Sequence, residues 1–365
     1  MKKFLTIIII LLISAFSLKA QVYDSLYLAS VRDSVKRYFE KHPPKTKFKD
    51  IKISPHTDLD YTKEDGVSLI AGFVAPYKNN LNLPQTSFVG IIGKASTKKT
   101  FFIGIAGWNY SPSGKFFTSY NIKTGSRKRY FWGTGFENAQ DDSNKTLTKI
   151  DDSRCKITVL YTIKNHHIGI IGGYDYFSIN PISDTIRTAI NTARGFNRKL
   201  SLGVLYKFSN LDEENNPSKG ISFEASALTY RFNAVFDAYL NIWKGGILYT
   251  DIYQAYTIGH PSWFLWPSMG SGDRMQVYYQ GKYIDRHLIC TVVGIRQLLY
   301  KNHTIILSIG AGNIFPSLDK FNIKNTLPTY GIGYRVKIYN TMLKIDLGLG
   351  KSHEHSIRGS ITKSF

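Results

Sequence analysis

Only two cysteines, Cys155 and Cys290, occur in 365 residues, so no disulfide framework can support this fold. Both sit in strand-like runs and read as buried or lipid-facing thiols rather than as partners. Acidic residues are also scarce, 26 against 47 Lys and Arg, which leaves a formal net charge of +21. Beyond the first 20 residues, no stretch approaches the roughly 20 apolar residues of a spanning helix. Helical periodicity is missing too after about residue 48. These absences exclude a disulfide scaffold, a helical membrane protein and a helix bundle. The charge imbalance suggests anionic partners, such as nucleic acid, lipid phosphates or acidic glycans.

What is present begins with "MKKFLTIIIILLISAFSLKA". Lys2 and Lys3 form a basic start, residues 4–18 are mostly apolar, and Ala20 suits a cleavage site, although Leu18 is larger than usual there. The alternative is an uncleaved anchor helix, but the apolar run is short for one. Residues 1–20 are therefore expected to be a signal peptide and the mature chain to be exported, which makes nucleic acid an unexpected partner. Next comes "YDSLYLASVRDSVKRYFEKHPP", the one convincing helix. Leu28, Val31, Val35 and Tyr38/Phe39 share a face, and Pro43-Pro44 ends it.

The rest reads as β. In "MLKIDLGLG", Leu343, Ile345, Leu347 and Leu349 alternate with Lys344, Asp346, Gly348 and Gly350. "GIGYRVKI" sets Ile332, Tyr334, Val336 and Ile338 against Gly331, Gly333, Arg335 and Lys337. "SIRGSITKSF" sets Ile357, Ile361 and Phe365 against Arg358, Ser360, Thr362 and Ser364, with Lys363 out of pattern. This is the period-two signature of strands apolar on one side only. A soluble sandwich alternates too, with its apolar side inward. Three features favour a transmembrane antiparallel barrel. Strands recur without a helical layer, the polar side carries Gly, Lys, Arg and Asp as a wet lumen would, and aromatics cluster at strand ends like interfacial girdles.

Counting from residue 49 gives about sixteen strands, an even number of the kind such barrels use. Turns after even strands are mostly short (111–114, 164–166, 244–246, 301–303), with 211–220 an exception. Several after odd strands are long (132–148, 181–197, 259–283, 316–326). That asymmetry places both chain ends in the periplasm. The expected organisation is a signal peptide at 1–20, a periplasmic helix and linker at 21–48, and an outer-membrane β-barrel at 49–365.

Motifs for chemistry are few. No G-x-S-x-G occurs, so a hydrolase is unsupported and no enzyme is expected. His353 and His355 in "HEH" share a strand side but lack a third ligand, and His166-His167 sit at a turn, so no metal site or other cofactor is expected. "GIIGG" (169–173) lacks a phosphate loop's context and reads as strand glycine. "SRKRY" (126–130) could meet lipid phosphates; a solvated strand end is the blander reading.

The longest interruption of the alternation is "PSMGSGDRMQVYYQGKYIDRHL" (267–288), which resembles the long loop of the BamA/TamA family, the bacterial surface antigen family. Gly270, Asp273, Arg274, Tyr278, Tyr279, Gly281, Tyr283, Asp285 and Arg286 match its pattern, with Lys282 a like-charged replacement. "SIGAGNIF" (308–315), "YGIGYRVKI" (330–338), "LKIDLGLG" (343–350) and terminal Phe365 are also similar to the family, and "YKFSNLDEENNPSKG" (206–220) and "RYFWGTGFENAQDD" (129–142) more weakly so. The resemblance implies that the loop folds back into the barrel lumen. Arg335, Lys337, Lys344, Asp346 and Arg358 would then be the lumen wall that offers it polar partners, and Phe365 would end the strand that barrel-assembly machinery reads.

Departures from the family pattern bear on function. The family's central Arg-Gly is Gln276-Val277 here, and the acidic residue that its arginine meets is replaced by Gly310, so both members of the usual latch are missing together. Residues 21–48 are too short for a POTRA module, so this is expected to be a short form without one. The resemblance implies a role in assembling or translocating outer-membrane protein or lipid, among outer-membrane lipids and with a separate periplasmic partner. The alternative is a passive structural or pore-forming barrel that has lost that activity.

Overall fold

The computed structural model describes residues 53–80, 86–181, 196–213, 216–270, 274–338, 341–351 and 354–364. The expected signal peptide, the helix at 21–48, Asp273, His353 and Phe365 lie outside the described residues.

The first half of the chain forms β1 (Ser54–Thr62), β2 (Gly66–Tyr77), β3 (Ser87–Ser96) and β4 (Phe101–Tyr110). It continues with the longer β5 (Phe116–Phe131), β6 (Thr146–Ile163), β7 (His166–Pro181) and β8 (Phe196–Ser209). The second half holds β9 (Gly220–Leu228), β10 (Arg231–Trp243), β11 (Gly246–Thr257) and β12 (His287–Tyr300). The last strands are β13 (His303–Phe315), β14 (Leu327–Ile338), β15 (Thr341–Gly350) and β16 (His355–Ser364). Each pairs antiparallel with its chain neighbours, and β16 pairs with β1 to close a barrel of sixteen strands. The seam runs from His56 opposite Ser364 to Tyr61 opposite Gly359. Closure leaves no free sheet edge, as a sheet surrounded by lipid requires.

Which way the strands face separates a barrel from a sandwich. Leu200 is 76% exposed on the outside, whereas Lys94 is 1% exposed and Arg127 4%. A soluble sandwich hides its apolar side; this molecule shows it. On β15 and β16, Ile345, Leu347, Leu349, Ile357 and Ile361 are exposed while Arg358 is buried. Parity sends Cys155 outward with Ile157, and Cys290 inward, where it is buried. The same parity corrects the bland reading of "SRKRY": Arg127 and Arg129 are buried inside β5 and are no solvated strand end, while Tyr130 points out. "GIIGG" lies within β7.

The two ends differ in length of connection. Residues 164–165, 244–245 and 301–302 make tight turns at one end, and residues 132–145, 258–286 and 316–326 make long loops at the other. The loop at 132–145 carries the short helix α1 (Phe136–Gln140). Among the described residues no helix is long and apolar enough to cross a membrane.

Candidate functional site

The loop between β11 and β12 turns into the barrel because its two legs are zipped together. Met269 N–H donates to the Tyr283 carbonyl at 2.9 Å, and Ser268 bridges Ile284. Gly270 makes the bend with φ of 75°, and a Cβ there would lie 2.1 Å from the Tyr278 carbonyl oxygen. Only glycine fits such an approach. Two further turns, Tyr278 N–H to the Met275 carbonyl and Lys282 N–H to that of Tyr279, compact the tip.

The tip touches the wall at β5 and at several strands across the ring from it. Its Tyr278 hydroxyl donates to the Pro328 carbonyl on β14 and accepts from the Lys351 N–H at 3.1 Å. Tyr130 N–H of β5 donates to the Tyr279 hydroxyl at 3.3 Å. Gln280 N–H donates to Glu64 Oε1, in the β1–β2 turn, at 3.1 Å. Arg358 of β16 donates to the Gln276 carbonyl at 3.2 Å. Arg274 is bound through Nε and Nη2 to the two carboxylate oxygens of Asp251 on β11. A segment that meets β5 and, across the ring, β11 to β16 lies inside it.

Apolar packing supplies the rest of the anchorage. Met269, Met275, Val277, Tyr278 and Tyr283 of the loop cluster with Tyr253, Leu288, Cys290, Ile314 and Leu327 of the wall. Upstream, Phe264 and Leu265 pack against Ile150, Phe177 and Ile179, and Trp263 stacks on Phe131 at 4.1 Å. From above, α1 and its loop cover the tip: Gln140 donates to the Tyr283 hydroxyl at 3.1 Å and Gly135 N–H to the Ile284 carbonyl at 2.7 Å. Lys282 reaches Glu354 at 2.8 Å and Asp142 at 3.7 Å. Among the described residues a large apolar core therefore lies in the lumen, and the loop supplies five of its twelve buried members.

Beside the tip sits a buried charge cluster. Asp65 is held by Lys94 at 2.5 Å and Arg129 at 2.6 Å, and accepts from the Thr100 hydroxyl at 2.8 Å. Burial pushes the Asp65 carboxyl up, but Arg129 and Lys94 outweigh it and hold it well below the usual range. The neighbouring Glu64 goes the other way, raised chiefly by burial. Burial also pushes the Tyr279 phenol up to about 12.

The residues singled out in sequence divide as follows. Arg274, Gln276, Tyr278, Tyr279, Gly281, Tyr283, Asp285 and Arg286 all lie on the inward-folded loop, six of them buried or making the wall contacts just described. Arg286 stays near the loop's root, donating to the Gly259 carbonyl at 2.6 Å. Of the five wall residues, Arg358 meets the loop. Arg335 and Asp346 pair with each other at 2.6 Å instead. Lys337 and Lys344 share their inward parity on β14 and β15.

The loop's charge anchor is not where the family pattern puts it. Gly310 cannot carry an acid: a Cβ there would lie 2.7 Å from the Thr291 carbonyl oxygen. The anchoring carboxylates are Asp251, Glu64 and Glu354, and the sequence pass missed all three. Asp251 gave a usable signal, being the one charged residue of β11 and flanked on its inner side by Tyr249 and Tyr253, but only the folded loop shows what it meets.

No protein-family model matches the chain, and no curated protein does. Among solved structures it superposes on BamA from Haemophilus ducreyi lacking POTRA domains 1–3 with a TM-score of 0.62, at 11% identity, over 87% of this chain and 71% of that one. The fold is that of the BamA and CdiB barrels. CdiB from Escherichia coli matches with a TM-score of 0.59 at 10% identity, over 86% of this chain and 63% of CdiB. CdiB from Acinetobacter baumannii gives 0.56 at 11% identity, over 86% and 60%. This chain thus spans less than two thirds of either CdiB. Its likeness to BamA and CdiB is one of barrel architecture.

Proposed function

We propose that this chain is an outer-membrane barrel of the BamA and CdiB type that assists the assembly or translocation of outer-membrane protein or lipid. The observation that carries the reading is the filled lumen. A conducting barrel needs a continuous water path, whereas here Met269, Met275, Val277 and Tyr278 pack an apolar cluster against the inner wall. A plugged barrel suits a machine that acts at its wall or by moving its plug. The outward apolar strands take outer-membrane lipids as partners, the C-terminal strand is read by barrel-assembly machinery during biogenesis, and a separate periplasmic protein delivers the substrate. The reading involves no nucleic acid, cofactor or enzymatic centre.

Two measurements test it together: conductance of the purified barrel in planar bilayers, and outer-membrane protein and lipid levels in a depletion strain. The expected result is low, intermittent conductance with a drop in one of those levels. Steady wide conductance with unchanged levels would replace this reading with a passive pore.

A further inference from the structure

Under the first leg of the loop lies a cavity of about 50 Å³, walled by β5, β6 and the loop, with Arg127, Arg129, Thr148, Trp263, Phe264 and Gln280 among its lining residues. Two buried donors on these walls have no partner among the described residues: Arg127 Nη2 and Trp263 Nε1. Unpaired buried donors are uncommon because each forfeits its hydration without recompense. Both orphans are N–H groups, so what would satisfy them is an acceptor.

The surrounding charge points the same way. Asp65 is shared by Lys94 and Arg129, and Asp152 is shared by Arg127 at 2.9 Å and Arg154 at 2.9 Å. Arg154 also approaches Asp175 at 3.6 Å. Four buried or nearly buried cations therefore stand among Asp65, Asp152, Asp175 and the neighbouring Glu64, and Arg127 keeps one nitrogen, Nη2, without a hydrogen bond. Phe264 lies against both guanidinium groups, with the guanidinium carbons of Arg127 and Arg154 at 5.8 and 5.1 Å from its ring. Cations kept dry with an open donor edge favour a small oxyanion, which charge-assisted hydrogen bonds from a guanidinium hold best.

We propose that this cavity is a phosphate-class oxyanion site, with Arg127 as its principal ligand and the Trp263 indole N–H as a second donor. The phosphate is either free or the headgroup of a lipid that reaches in. Because Trp263 belongs to the loop and Arg127 to the wall, a bound phosphate ties one to the other. The site does not depend on the assembly role proposed above.

The test is titration calorimetry of the whole barrel in zwitterionic detergent with inorganic phosphate. A parallel ³¹P NMR measurement uses the barrel in phosphatidic acid–phosphatidylcholine vesicles. Trp263→Phe keeps an aromatic ring to stack on Phe131 and removes the indole N–H, so it should weaken phosphate roughly tenfold while the barrel still runs as a folded, heat-modifiable band. Arg127→Gln should abolish binding, and Arg127→Lys should not restore it fully. Saturable binding of inorganic phosphate that falls in Trp263→Phe supports the site with free phosphate as sufficient ligand. A lipid phosphate resonance that shifts only with Trp263 intact, without binding of inorganic phosphate, supports it with the headgroup as ligand. No binding in either arm at millimolar phosphate, or binding indifferent to Trp263→Phe, overturns the proposal.

Discussion

Arg274 and Asp251 are joined by two parallel hydrogen bonds, Nε to Oδ1 and Nη2 to Oδ2, the second 2.5 Å long. The pair links the tip of the inward loop to β11, where Asp237 of β10 stands directly across from Asp251. Asp237 and Asp251 share a side-chain hydrogen bond, so Asp251 is held between its neighbour on the wall and the guanidinium of the loop. This fork ties the tip of the loop to the wall.

Breaking the fork from one side should hurt more than removing it. Arg274→Ala leaves a mostly enclosed carboxylate unpaired, a change of roughly 3–5 kcal/mol in comparable buried pairs. The double variant Arg274→Ala/Asp251→Ala should recover part of the loss. A double-mutant cycle on urea unfolding in detergent, read by heat-modifiable mobility, measures it; additive losses would mean that the pair is not coupled.

Rebuilding the family latch should fail. Gly310→Asp forces a Cβ to 2.7 Å from the Thr291 carbonyl and 2.8 Å from the Thr329 methyl. The backbone of β13 must shift, so Gly310→Asp should lower the folded fraction, and adding Gln276→Arg should not rescue it. Restored yield in the double variant would show that β13 yields more readily than its packing indicates.

Position relative to lipid should decide the cost of a charge. Leu347 is exposed on the outer side of β15. Leu347→Lys should cost about 2–4 kcal/mol in folding into liposomes if it lies near mid-membrane. Asp346→Asn, one residue away, keeps an acceptor for Arg335 and should cost far less. Equal losses would place both side chains in the same medium.

Acid should loosen the cluster at the β1–β2 turn. Asp65 has a native pKa depressed below its ordinary 3.8, so its contribution to stability is fully present above that value. The contribution is lost as pH falls toward the depressed native value. Glu64, raised by burial, has the opposite sign: its penalty grows as pH rises from its ordinary 4.5 toward its native value. Asp65→Asn should therefore destabilise at neutral pH and flatten the acid limb, whereas Glu64→Gln should be neutral or stabilising there. Unfolding midpoints across pH 3 to 8 check both signs, and a matching profile for the two variants would contradict the opposed shifts.

The sequence by itself determined the architecture. Alternation in "MLKIDLGLG" and "SIRGSITKSF" needs only a residue's identity and its parity, and parity is local. Turn lengths assigned the two ends, and the glycines and tyrosines of 267–288 marked an inward loop through a resemblance. What only the tertiary structure decided is how that loop is held. Polar partners on late strands were the expectation, and Arg358 is one; the other anchors are an apolar cluster around Tyr278 and Tyr283, the Asp251 fork, and Glu64 and Glu354 from the β1–β2 and β15–β16 turns. Asp251 was visible as an acid on β11 but its partner was not, and Glu64 and Glu354 become neighbours of the loop only once the barrel has formed. Ring closure places residues more than 200 positions apart in contact, as with Gln280 and Glu64. A pattern of period two says which way each side chain points, but not what stands on the far side of the lumen.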